Sequence, residues 1–288
     1  SVERLAMSHG WIVGPHDSAS YPPDMQQTLN PSGKLRKHFD LYANIRPART
    51  YPAVPSLGTD VDLVIVRENS EGFYADRNMF QGVGVFMPSA DVALATGVFT
   101  RRAARRIAHT ACRLAMSRRG HMAIVHKANV LRLTTGLFLD TCHQVAETYP
   151  DVRVDDYHID AMAAHLLRRA SDFDVIVTTN MFGDILSDLT AELAGSLGIG
   201  GSLNAGDNYA MAQAVHGAAP DIAGRGVANP TGLLHSAVML LEWMCRQYED
   251  PELQAVAQRV NDGLFTVLSS GPLTPDVGGS ATTAEFAQ

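Results

Sequence analysis

The sequence predicts an α/β protein, on three observations. Short apolar runs alternate with longer segments of helical period. The runs lack the polar alternation of a half-exposed strand. Glycine and proline concentrate between these segments rather than inside them. Uninterrupted apolar strands suit a sheet covered on both faces, and strand–helix alternation builds a layered α/β architecture.

The elements follow in order. Residues 10–14 (GWIVG), 61–66 (VDLVIV), 122–125 (MAIV) and 173–179 (FDVIVTT) read as buried strands, with another at 152–157. Residues 101–119 read as a helix, because Ala104, Ile107, Ala108, Ala111, Leu114 and Ala115 recur near the helical period. Similar patterns predict helices over 134–149, 160–170 and 184–197. Two more close the chain, over 229–248 and 252–268, the first with Pro230 near its start, where a fixed φ is tolerated. Gly/Pro clusters at 21–33, 52–58 and 198–208 read as loops.

Composition narrows the function classes. Of the 288 residues 46% are hydrophobic and 18% charged, enough for one large core or two ordinary ones. A net charge of −7 argues against a nucleic-acid partner, yet leaves room for a local arginine cluster that binds a small anion. No apolar run reaches the ~18 residues of a membrane span, and the first residues lack a signal-peptide pattern. The expectation is a cytoplasmic protein with no membrane or nucleic-acid partner. Cys112, Cys142 and Cys245 are odd in number and far apart, as buried thiols of a reducing compartment would be.

Five stretches hold candidate chemistry. Arg36 and Arg46 frame the amphipathic stretch 35–47, and Arg67 follows the 61–66 strand. Guanidinium groups bind carboxylates through two parallel hydrogen bonds, so three aimed at one cleft would suit a di- or tricarboxylate. The plainer reading, three surface or capping arginines, is favoured by the residues alone. In NMFGDILSD (180–188), Asp184 and Asp188 are four apart and share a helix face after a strand. That is a hard-oxygen pair suited to Mg²⁺ or Mn²⁺, or else a helix cap and a dipole partner. Asp160 after the 152–157 strand is a third carboxylate or an N-cap, while His158 and His165 read as structural. Lys127 in VHKANV (125–130) would carry protons if its surroundings allow, and is otherwise a surface lysine. The small-residue loop 216–230 would let backbone approach a ligand, with an acidic residue for a ribose diol.

The order and wording of these stretches resemble the isocitrate/3-isopropylmalate dehydrogenase family of metal-dependent β-decarboxylating dehydrogenases. The resemblance runs from about Leu35 to Phe286 and rests on VRENSEGFY (66–74), HKANV (126–130), NMFGDILSDLTAELAGSL (180–197) and residues 216–230. It implies a two-domain fold with a non-Rossmann cofactor site. Residues 1–41 and 196–288 would form the larger, cofactor-side domain, and 42–195 the smaller domain with the metal, the substrate and the dimer contact.

It also implies roles. Arg36, Arg46 and Arg67 would hold the substrate carboxylates, with Asn30 and Ser32 near its variable group. Asp184 and Asp188 would bind Mg²⁺ or Mn²⁺ together with Asp160 of a second subunit. Tyr74 would be the general acid, and Lys127, also from the second subunit, would assist removal of the hydroxyl proton. Asn129, His216, Gly217, Ala219, Asp221, Ile222 and Asn229 would line the cofactor. Asp221 and Ile222 stand where NADP-using relatives carry a basic residue and a tyrosine, which implies NAD. The active unit would be a homodimer with shared sites. The family opens with a glycine-rich strand–loop–helix, whereas this chain opens at what corresponds to the next strand, so part of the cofactor domain is expected ahead of residue 1. Polar residues at 30–34 replace the leucines of isopropylmalate enzymes, which implies an isocitrate-, homoisocitrate- or tartrate-like substrate. A non-catalytic regulatory subunit, an isopropylmalate dehydrogenase proper and a non-redox decarboxylating lyase stay open as alternatives.

Overall fold

The computed structural model describes residues 2–17, 20–22, 25, 31–74 and 84–288. The chain enters through a short helix α1 (Val2–Leu5), strand β1 (Gly10–Ile12) and helix α2 (Pro31–His38), then passes into the long strands β2 (Ala43–Arg49) and β3 (Asp62–Glu68). A hairpin of β4 (Val85–Ser89) and β5 (Val92–Ala95) precedes helix α3 (Arg101–Met116). A regular alternation follows: β6 (His121–His126), α4 (Thr135–Ala146), β7 (Arg153–His158), α5 (Ile159–Arg169), β8 (Val175–Thr178) and α6 (Asn180–Ala194). Two three-residue strands, β9 (Leu203–Ala205) and β10 (Ala210–Ala212), lead to α7 (Thr231–Tyr248), α8 (Pro251–Ser270) and the final turn α9 (Thr283–Phe286).

Among the described residues, eight strands form one mixed sheet in the order β1-β10-β9-β2-β3-β8-β6-β7. β3, β8, β6 and β7 run parallel to one another, while β2 is antiparallel to both β3 and β9. The expected α/β architecture is therefore present, and the apolar runs explain it. Val64, Val66, Met122, Ile124, Val175 and Val177 face α3 and α4. Their alternates Leu63, Ile65, Ala123, Val125 and Ile176 face α5 and α6. Each large side chain buried this way contributes about 1.5–3 kcal/mol relative to exposure.

The stretch 35–47 departs from a single amphipathic segment. Asp40 takes φ +48°, and the Leu41 N–H returns to the Arg36 carbonyl at 2.9 Å. This left-handed cap ends α2 and frees β2 to start. β2 then keeps Pro47 inside a central strand, which is unusual. Val64 turns its N–H to the Asp174 carbonyl at 2.8 Å, so the facing Pro47–Val64 pair exchanges no hydrogen bonds. The proline nitrogen points instead to the side where β9, paired only with Ala43–Ile45, has already ended.

The sheet crosses between the two segments expected as domains: β1, β10 and β9 belong to 1–41 and 196–288, the other five strands to 42–195. The β9–β2 seam is stitched by buried amides. Asn44 Nδ2 donates to Ser202 Oγ at 2.8 Å and to Asn204 Oδ1 at 3.1 Å, and Asn69 Nδ2 donates to the same Asn204 oxygen at 3.1 Å. Among the described residues no helix is long and apolar enough to cross a membrane.

Candidate active site

Parallel strands deliver their carboxyl ends to one side of the sheet, where open α/β sheets bind ligands. Arg67 lies at that end of β3, Lys127 just after β6, Asp160 in the first turn of α5 after β7, and Asn180 opens α6 after β8.

Helix α6 starts at Asn180, four residues before the expected Asp184, and its N-cap is Thr179. Neither aspartate can therefore be the cap, which removes the plainer explanation for Asp184. The helix packs on β2 and β3, and Asp184 and Asp188 meet the two arginines of those strands. Arg67 is 2% exposed. Its Nε and Nη2 donate to Asn180 Oδ1 at 2.9 and 2.7 Å, and its Nη1 donates to Asp184 Oδ1. Arg46 is 8% exposed and donates from Nη1 to Ser187 Oγ at 2.7 Å and to Asp188 Oδ1 at 3.3 Å. Its Nη2 lies 3.6 Å from Asp184 Oδ1, and its Nε donates to Asn44 Oδ1 at 2.6 Å, joining the site to the seam.

Tyr74 closes the group. Its hydroxyl donates to Asp184 Oδ2 at 2.9 Å, and the Arg67 guanidinium carbon lies 5.8 Å from its ring centroid. Burial pushes the Asp184 carboxyl up, but Arg67, Arg46, the Tyr74 hydrogen bond and Arg36 outweigh it, so the group titrates below its usual range. Asp188 is pushed the other way: burial raises it, Arg46 opposes, and the charge of Asp184 adds to the rise. The pair is thus divided into a firmly ionised carboxylate and a more basic one.

Arg36 stands half-buried on α2, close enough for its charge to act on Asp184. Ser32 is 5% exposed, and its Oγ accepts from Gln213 Nε2 at 2.7 Å. Asn30 lies outside the described residues. Lys127 and Asp160 pair with each other, Nζ to Oδ1 at 2.6 Å. That hydrogen bond, together with the backbone N–H groups of the first turn of α5, holds the Asp160 carboxyl below its usual range. Within one chain and among the described residues, no three His, Cys, Asp or Glu side chains assemble as a metal-binding group. His165 packs edge-on against Tyr157 at 5.6 Å, as a structural histidine would.

The expected cofactor residues lie along the loop from His216 to Asn229, except Asn129, which is exposed in the turn after Lys127. His216 Nδ1 sits 3.0 Å from the Gly217 carbonyl. Ala219 takes φ +44° and leads into a single turn, Pro220–Ile222, which presents Asp221 to solvent. A Cβ at Gly217, Gly224 or Gly226 would meet nothing within 4 Å, so the loop surface is open. Asn229 is occupied structurally: its Oδ1 accepts the Thr231 N–H at 3.0 Å and its Nδ2 donates to Asp276 at 3.0 Å.

Four contributors escape the sequence reading: Asn180, Ser187, Asn44 and Gly183. Asn44 carried a usable signal, because it is two residues before Arg46 and shares its strand face. A Cβ at Gly183 would lie 2.6 Å from both Cβ and Cγ of Arg67, so only glycine lets α6 close over that arginine.

Comparison with known proteins gives the family and the fold. The sequence model described as isocitrate/isopropylmalate dehydrogenase matches residues 1–288. An isocitrate/homoisocitrate dehydrogenase of Thermus thermophilus is 48% identical over 290 aligned positions, covering 100% of this chain and 81% of that protein. A 3-isopropylmalate/3-methylmalate dehydrogenase of Methanocaldococcus jannaschii is 44% identical over 260 positions, covering 88% and 74%. The crystal structure of isocitrate dehydrogenase from Methylococcus capsulatus superposes with a TM-score of 0.86 at 36% identity, covering 99% of this chain and 81% of that one.

Proposed function

The chain belongs to the isocitrate/isopropylmalate dehydrogenase family, and from that premise we propose that it oxidises a malate-type 2-hydroxy di- or tricarboxylate with NAD and Mg²⁺ or Mn²⁺, and decarboxylates the product. The observation that carries this reading is the convergence of Arg46, Arg67, Tyr74, Asp184 and Asp188 at one end of the sheet.

The donors fit a divalent metal. Asp184 and Asp188 are hard oxygens one helical turn apart, and Mg²⁺ is commonly held by one or two carboxylates with substrate and water. Asp160 of the partner subunit would complete the set. The open glycine-bearing loop and the solvent-facing Asp221 fit NAD, since a carboxylate there bonds a ribose diol and repels a 2′-phosphate. When bound, the metal would supply Lewis acidity to the substrate hydroxyl and NAD would supply the hydride acceptor.

The chain's own side chains do the rest. Arg36, Arg46 and Arg67 bind and orient the substrate carboxylates, and their burial strengthens that hold. Lys127 of the partner subunit assists removal of the hydroxyl proton. The Tyr74 hydroxyl, already a donor toward the centre of the site, returns a proton to the carbon left after CO₂ departs. The exposed apolar hairpin side chains Val85, Phe86, Met87, Val92 and Leu94 support a homodimer, because a second chain would bury them.

The polar stretch before Arg36 favours a polar or charged substituent on the substrate, of isocitrate, homoisocitrate or tartrate type. The test is NAD reduction with Mg²⁺ or Mn²⁺ on isocitrate, homoisocitrate, 3-isopropylmalate, tartrate and malate, repeated with NADP. The expected result is the highest kcat/KM with NAD and one of the polar acids. A preference for 3-isopropylmalate or for NADP would overturn that part of the reading.

A further inference from the structure

We propose that His126 is a positioning residue for Lys127: its imidazole pins the turn after β6 and thereby aims the lysine amine. This rests on the reading of Lys127 as the proton carrier of the reaction. His126 is the last residue of β6 and is 3% exposed. Its Nδ1 accepts the Ala128 N–H at 3.0 Å. A backbone amide only donates, so Nδ1 carries no proton. The ring hydrogen therefore sits on Nε2, which donates to Asp156 Oδ2 on β7 at 3.2 Å. Both nitrogens have one permitted role, and the two partners impose the tautomer.

The pinned turn is the one that carries Lys127. The Lys127 N–H donates to Thr135 Oγ1 at 3.1 Å, and its carbonyl accepts from the Val130 and Leu131 N–H groups at 3.1 and 2.8 Å. The His126–Ala128 bond fixes the peptide between those anchors. A lysine stem is long and flexible, so its amine is placed only as well as the backbone beneath it. The same imidazole ties β6 to β7, whose following turn carries Asp160, the group that Nζ meets at 2.6 Å. One ring thus sets both ends of the Lys127–Asp160 pair.

The groups facing His126 are Asp156 and His158 on β7 and His143 on α4. His143 Nε2 lies 3.5 Å from the other Asp156 oxygen, and the His158 ring stands edge-on at 5.1 Å. Burial lowers the His126 pKa, Asp156 opposes, and His158 and His143 add to the lowering, so the ring is neutral at neutral pH. Protonation in acid would put a hydrogen on Nδ1 against the Ala128 N–H and release the turn.

The test compares His126→Leu, which removes the acceptor, with His126→Asn, which keeps one, since an asparagine oxygen bonds the N–H two residues on. Two measurements are made on the full chain: steady-state kinetics with NAD, Mg²⁺ and the best acid, and amide exchange at Ala128. His126→Leu is expected to lower kcat about 10–100-fold with little change in the KM for NAD, and to speed Ala128 exchange about tenfold or more. His126→Asn is expected to restore Ala128 protection and bring kcat back to within about threefold of wild type. Unchanged Ala128 exchange in His126→Leu would overturn the proposal. So would His126→Asn with protection restored but kcat still low. If the wild type reduces no NAD with any acid, the functional reading fails separately. Ala128 exchange in His126→Leu then still decides the pinning: faster exchange supports it and unchanged exchange overturns it.

Discussion

Gly183 is where the geometry of the site depends on an absent side chain. The atoms a Cβ would strike, Cβ and Cγ of Arg67 at 2.6 Å, are the stiff root of a strand arginine that is itself 2% exposed. They cannot swing aside, so Gly183→Ala must push α6 outward or turn Arg67 away from Asn180 and Asp184. We expect this variant to lose about 10–100-fold in kcat/KM for the acid, about 1.4–2.8 kcal/mol of transition-state binding. Unchanged kinetics would mean that the close approach is not needed. At the cofactor loop, Asp221→Lys with Ile222→Tyr should reverse the charge met by a 2′-phosphate and raise the NADP-to-NAD ratio of kcat/KM by at least about tenfold; a ratio that does not move would detach Asp221 from cofactor choice. The charged members of the site are singled out in the sequence by the family resemblance, since residue type and spacing alone leave the arginines and Lys127 readable as surface groups. Asn180, Ser187 and Gly183 are not, because their importance lies in which strand side chain crosses the first turns of α6. That crossing is a fact of packing between residues more than 100 positions apart.

At the scale of elements, the segment that bears Tyr74 is tied to the start of α3. Glu71 accepts the Thr100 N–H at 2.8 Å and the Thr100 hydroxyl at 2.9 Å, and that hydroxyl caps α3 by accepting from Ala103 at 3.1 Å. Burial pushes the Glu71 carboxyl from 4.5 up to about 7; the Thr100 N–H opposes this, and the nearby Glu68 adds to it. Because the folded group holds its proton to higher pH than the unfolded one, folded protein binds more protons between about pH 4.5 and about pH 7. The contribution of Glu71 to stability is therefore greatest at the acid end of that window and declines as pH rises through it. Glu71→Gln should remove this slope, so that the melting temperature of the variant relative to wild type rises from pH 5 to pH 7.5; parallel melting curves across that range would exclude the effect. The strands β3, β6 and β8 are readable in the sequence because both faces of their central residues are buried and apolar. Of the three-residue strands, β1 is readable from the apolar run at 10–14, and the others are not. Three-residue β9 and β10 are too brief to show a period, and β2 carries Pro47, Asn44 and two arginines that disguise a central strand.

For the whole molecule, one chain supplies the two halves of the proposed chemistry at separate places. Arg46, Arg67, Tyr74, Asp184 and Asp188 converge on α6, while Lys127 and Asp160 pair with each other beyond β6 and β7. If the Lys127 and Asp160 that serve a given Asp184 come from a second copy, damage to the two halves need not fall in the same site. Asp184→Asn and Lys127→Ala chains should each be nearly inactive as homodimers. In a heterodimer one site would carry both defects and the other none. Statistical mixing of equal amounts makes half of the dimers heterodimers, each with one intact site of two, so about one quarter of wild-type activity should return. Sites contained within single chains would predict no recovery at any mixing ratio. The recovery also has to follow subunit exchange, appearing when the two variants are co-refolded or co-expressed and not when they are combined just before the assay. That kinetic signature separates shared sites from trace wild-type contamination, which would contribute the same activity whether or not the chains had time to exchange.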